Sequence, residues 1–76
     1  MSTLYAEIRE KETEIMKRNN GKATLSRAGL ARELGAGEIM AQRWAEARGI
    51  GIPIGARVRY EVSQVAKHIV QERGMY

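Results

Sequence analysis

Apolar positions recur at helical spacing in four stretches of the chain and alternate in a fifth. Leu4, Ile8 and Ile15 fall near one stripe, with Tyr5 and Met16 beside it and Lys11 and Glu12 interrupting it, which predicts an amphipathic helix over 4–18. Asn19, Asn20 and Gly21 follow, residues that tolerate the left-handed backbone of a helix end. The expected role of this helix is to pack on the core. A dimerisation helix is the alternative, but about one and a half imperfect heptads are too few for a stable coiled coil.

Thr24 and Ser26 both suit the cap of a second helix over 26–34, with Leu30, Ala31 and Leu34 on its apolar face and Gly35 at its end. A third helix is predicted over 38–48. In it Met40, Ala41, Trp44 and Ala45 are expected to face inward, with Trp44 largely buried, and Glu38, Ile39, Gln42, Arg43 and Glu46 to face outward. Ala31 and Gly35 would let the two backbones approach, and Trp44 would fill the angle between them. That is a helix-turn-helix pattern, with a plain helical hairpin as its alternative.

Ile50, Ile52 and Ile54 then alternate, as do Val58, Tyr60 and Val62 beyond Gly55-Ala56. The reading is a two-stranded ribbon over 51–62, aliphatics toward the helices and both Arg57 and Arg59 outward, with Pro53 on an edge strand. Ser63 is expected to cap a last helix over 63–73 in which Val65, Ala66, Ile69 and Val70 pack inward and Gly74 ends the run.

Composition narrows the function classes. A chain of 76 residues has one core, since so short a chain buries only roughly 60 to 65% of its unfolded surface. There is no cysteine and one histidine, so disulfides and the common zinc sites are excluded and no metal or cofactor is expected. With no aspartate and His68 alone beside Lys67, no nucleophile and base or carboxylate pair is evident, and an enzyme is not expected. The glycine clusters lack the Lys-Ser/Thr of a phosphate loop. No signal peptide or membrane span is apparent, and a cytoplasmic location is expected. The net charge is +4, and residues 27–76 carry eight Lys/Arg, seven of them arginine, against five Glu. Arginine's planar fork of donors suits phosphates and guanine edges, so the excess favours nucleic acid as a partner.

The run TLSRAGLARELGAGEIMAQRWAEARG followed by IPIGARVRYEVSQVAKHI resembles the excisionase-like, MerR-type winged helix-turn-helix family, phage excisionases especially, over residues 24 to about 70. The resemblance implies a mainly α fold with a small two-stranded β wing, a DNA-binding domain over 24–76, and an N-terminal helical extension over 1–23 outside the family core, in one compact unit. It implies that the second helix of the motif enters the major groove and the wing reaches the backbone or the adjacent minor groove. On that basis Glu38, Ile39, Gln42 and Arg43 are the groove-facing residues and Arg57 and Arg59 the wing cations, with Trp44 buried behind. Arg43 can bridge guanine O6 and N7, Gln42 can pair with adenine N6 and N7, and Arg27 and Arg32 are expected at phosphates. The chain departs from the family in placing Gly37 where Ser or Thr often caps the second helix, in having GAR at the wing where the family often has two arginines, and in carrying Glu46 where a basic residue is common.

The function implied is sequence-specific binding of double-stranded DNA as a recombination directionality factor, phage-encoded or nucleoid-associated in a bacterial host, that bends attachment-site DNA and assists an integrase or recombinase. A small transcriptional regulator of a phage or mobile element would use the same contacts. A small terminase subunit head is a further reading, disfavoured because the long extension usual after its wing is missing from the residues up to Tyr76. A protein interaction module that binds no nucleic acid is the rival of another class. No long apolar stripe is expected to remain after the core is assigned, so a monomer in free solution is expected, with copies side by side on DNA.

Overall fold

The computed structural model describes residues 3–73. Their order is helix α1 (Thr3–Arg18), strand β1 (Thr24–Leu25), helices α2 (Arg27–Leu34) and α3 (Glu38–Ala47), strands β2 (Ile52–Ile54) and β3 (Arg57–Glu61), and helix α4 (Val62–Arg73). The molecule is mainly helical, with a three-stranded antiparallel sheet in the order β1-β3-β2. β1 departs from the expected ribbon: Thr24, a possible cap by residue type, is a strand residue, and the ribbon gains a third member where Thr24 pairs with Glu61 and Leu25 with Tyr60. Gly74, expected to end the last helix, lies outside the described residues. Ser63 is not that helix's cap, because α4 already begins at Val62, directly on the end of β3.

Local chemistry places the boundaries of the first two helices. Asn20 and Gly21 take φ values of 58° and 73° and turn the chain out of α1, with the Gly21 N–H donating to the Met16 carbonyl. Ser26 caps α2, its Oγ accepting from the Gly29 N–H, and Gly35 closes it in the left-handed region at φ 66°. Space around Gly35 is open, so its role is to end the helix and not to admit α3.

The core joins all the layers: Ile15 of α1, Leu25 of β1, Leu30 and Ala31 of α2, Ala41 and Ala45 of α3, Tyr60 of β3, and Val62, Val65 and Ala66 of α4. α1 lies along α4, and Ile15 is fully buried there. Met40, expected inside, is 61% exposed, and Trp44 is only half-buried. Ala41 and Ala45 are buried as expected and form the inward side of α3, with Trp44 packed partly buried against the core beside them. Trp44 turns toward α4, its ring edge-on to His68 and its face under the Arg48 guanidinium, 4.4 Å from the ring centroid.

Among the described residues three arginine–glutamate pairs join helices, Arg27 with Glu38 between α2 and α3 and the two that follow. Arg48 forms a two-pronged pair with Glu72, donates to the Trp44 carbonyl, and so braces α3 on α4. Arg18 donates through Nε and Nη2 to Glu33, which also accepts from Asn19, and so braces α1 on α2. The Arg18 hydrogen bonds hold the Glu33 carboxyl below its ordinary range against the opposing effect of burial, and Arg48 does the same to Glu72. Because both folded values are lowered, this stabilisation is fully present above the ordinary carboxylate pKa of about 4.3 and is lost as pH falls through the lower folded values. Glu33→Gln should therefore be less stable than the native chain at pH 7 and lose less on acidification to pH 3. Urea midpoints at the two pH values check this, and equal losses for both chains would refute the bracing role of Glu33.

The ribbon differs in register from the expectation. Gly55 takes φ 62° in a two-residue turn, and the pairs are Ile54 with Arg57, Pro53 with Val58 and Ile52 with Arg59. Cross-strand partners share a face, so Ile52 and Ile54 stand with Arg57 and Arg59, while Pro53 stands with Val58 and Tyr60. The expected all-aliphatic face does not exist. Of β2 and β3 only Tyr60 reaches the core, while Ile50 and Val62 at the two ends of the pattern are buried as expected and Ile52, Ile54 and Val58 remain exposed. Gly51, at φ 144°, backs the hairpin where a Cβ would come within 3.1 Å of Val58 Cγ1. Among the described residues apolar surface is thus left at three separate places, on Leu4 and Tyr5 of α1, Ile39 and Met40 of α3, and the hairpin. Among the described residues no helix is long and apolar enough to cross a membrane.

Candidate nucleic-acid interface

Gly37 precedes α3 as its N-cap, with extended backbone and no side-chain bond. Glu38 in the first turn compensates, since a carboxylate near a helix N-terminus meets its positive end. The rotation of α3 follows from its buried alanines. With Ala41 and Ala45 against the core, the 3.6-residue repeat puts Ile39 and Arg43 on the outermost ridge, one turn apart, and Glu38 and Gln42 on the flank toward α2. Ile39 is 65% exposed, and Arg43 is exposed with no ion pair or hydrogen bond to the other described residues.

Across from this flank stands the hairpin. A cleft of about 480 Å³ separates the two, walled by Arg27, Glu38 and Gln42 on the helical side and by Arg57, Val58 and Tyr60 on the strand side. The start of α3 and the turn of the hairpin therefore open on the same side of the molecule. Arg57, next to the turn, is exposed and has no partner among the described residues.

The remaining arginines divide. Arg32 is exposed and unpartnered on α2. Arg27, expected at a phosphate, instead donates through Nε to Glu38 Oε1 at 3.0 Å and through Nη1 to Gln42 Oε1 at 3.2 Å. Arg59, expected to point outward, is half-buried and turns along the sheet to β1, donating through Nε to Thr24 Oγ1 and through Nη2 to the Thr24 carbonyl. Its guanidinium is a cross-strand brace, a role invisible from sequence because Thr24 lies 35 residues away.

Arg32, Arg43 and Arg57 are thus exposed arginines of α2, α3 and the hairpin without a partner among the described residues. Glu38 is offset by Arg27, and Glu46 is exposed further along α3. His68, the one histidine, is engaged with Trp44 and lies 3.6 Å from Glu72. Among the described residues no group of three or more His, Cys, Asp or Glu is placed to hold a metal ion. No protein-family model, curated protein or solved structure matches the chain.

Proposed function

We propose that the chain is a winged helix-turn-helix protein that binds double-stranded DNA sequence-specifically, with α3 in the major groove and the β2–β3 hairpin against the adjoining backbone. One observation carries the reading: α3 and the hairpin turn bound the same cleft, Arg57 lines it and Arg43 stands on the outer ridge of α3, and both arginines are exposed with no partner among the described residues. An unpaired guanidinium on an exposed helix ridge is suited to a guanine edge, and one beside a turn is suited to a phosphate. The excisionase-like role, bending attachment-site DNA and assisting an integrase, rests on the sequence resemblance, and a small transcriptional regulator would rest on the same contacts.

The exposed Ile52, Ile54 and Val58 favour a second reading, a module that binds another protein through the hairpin. Titration with random duplex over a range of salt separates the two. With Arg32 and Arg57 turned to phosphates and Arg43 to a base edge, the slope of log K against log salt on random duplex should be about −2. No retention of duplex at low salt would overturn DNA binding and leave the protein-binding reading. A gel shift on circularly permuted fragments then tests bending.

A further inference from the structure

Resting on the DNA-binding reading, we infer that Arg27 is a positioning residue that sets which base Gln42 reads. A guanidinium has five N–H donors and no acceptor, so the Gln42 atom it faces has to be the amide oxygen, as the 3.2 Å contact from Nη1 to Oε1 has it. The amide is planar, and turning its oxygen back to α2 swings the NH2 to the leading edge. Pairing with adenine needs oxygen and nitrogen side by side on that edge, one accepting from N6 and one donating to N7. A leading NH2 without its oxygen beside it meets only N7 at adenine and faces the N6 donor, whereas guanine offers two adjacent acceptors, O6 and N7, and thymine offers O4, so these two bases are favoured.

Arg27 is anchored in this pose by its second contact. Its Nε bonds Glu38 Oε1, one turn before Gln42 on the same flank of α3, so both bonds hold the guanidinium plane along the helix. The adenine preference expected from the residue type alone is therefore replaced by a preference for guanine or thymine, set by a residue on another helix.

The test is a selection from random duplexes with the native chain, Gln42→Ala and Arg27→Ala. The position whose preference disappears in Gln42→Ala is the one Gln42 reads. Guanine or thymine is expected there for the native chain, with a shift toward adenine in Arg27→Ala as the oxygen is released. The Arg27 side chain is half exposed, so this variant should fold, and circular dichroism verifies that. Adenine at that position in the native chain, or an unchanged preference in Arg27→Ala with affinity lowered alike on all duplexes, overturns the positioning role and makes Arg27 a phosphate-binding residue. Absence of any base preference that Gln42→Ala removes overturns it as well. Failure of all three proteins to retain duplex overturns the DNA reading itself, a distinct result.

Discussion

Ile15→Ala is expected to destabilise the protein by about 2 to 5 kcal/mol, the range for truncating a large aliphatic side chain in a closed core. Ile15 is 0% exposed and sits where α1 lies along α4, among residues that include Leu25 and Val65. A chain of 76 residues has about 4 to 11 kcal/mol of total stability at the usual stability per residue, so the loss would leave a marginal fold. Tyr5→Ala, on the same helix but 54% exposed, should change stability by no more than about 0.5 kcal/mol. Urea unfolding of both variants, compared at equal m, is the measurement. An unchanged midpoint for Ile15→Ala would mean that α1 is not part of the core.

The helices were readable from periodicity and end chemistry because both are local. Asn20, Ser26 and Gly35 act within a few residues of where they stand, and α1 to α3 begin and end close to where those residues predict. The rotation of α3 was harder to read. Met40 with Trp44 and Ala41 with Ala45 are neighbouring stripes about 100° apart on the helix, and apolar character alone puts both inside. Packing in the common core takes the alanines fully, Trp44 in part and Met40 not at all, and that depends on residues far from α3 in the chain. β1 has two residues and a partner strand more than thirty residues away, so no pattern announces it.

The hairpin faces could have been read correctly. Once Gly55-Ala56 is taken as a two-residue turn, Ile54 must oppose Arg57, and alternate residues of β2 and β3 then share a face in that register. An aliphatic face uniting Ile52, Ile54, Val58 and Tyr60 is incompatible with that turn. Tyr60, paired with Leu25 over the core, determines which side is buried, and the two isoleucines are left with the arginines. The same register directs Arg59 to Thr24 and leaves Arg57 as the hairpin's free cation. A count of arginines overstates the unpartnered cations for this reason, since Arg48, Arg59 and Arg27 all have protein partners separated from them by eleven residues or more.

Arg43→Ala should weaken binding to the selected site by about 1 to 3 kcal/mol, roughly 5- to 150-fold, and relax the base preference at one position. The expectation follows from the ridge on which Arg43 stands: it has no internal bond to break before it reaches a guanine edge, and Ile39 beside it can meet a thymine methyl. On a scrambled duplex, where Arg43 reads no base, the effect should be much smaller. Arg57 stands differently, next to the turn of a hairpin with three-residue β2, too short to read much sequence. Arg57→Ala should weaken selected and scrambled duplexes about equally and reduce the salt slope by about 1, as expected when one phosphate is no longer neutralised. Both side chains are exposed and have no partner among the described residues, so neither variant should unfold, and any fall in affinity reports on duplex binding. Titrating each against both duplexes at several salt concentrations yields the four comparisons. If Arg43→Ala lowers both affinities alike and Arg57→Ala changes neither, α3 is not the reading helix, and the cleft between it and the hairpin belongs to some other ligand.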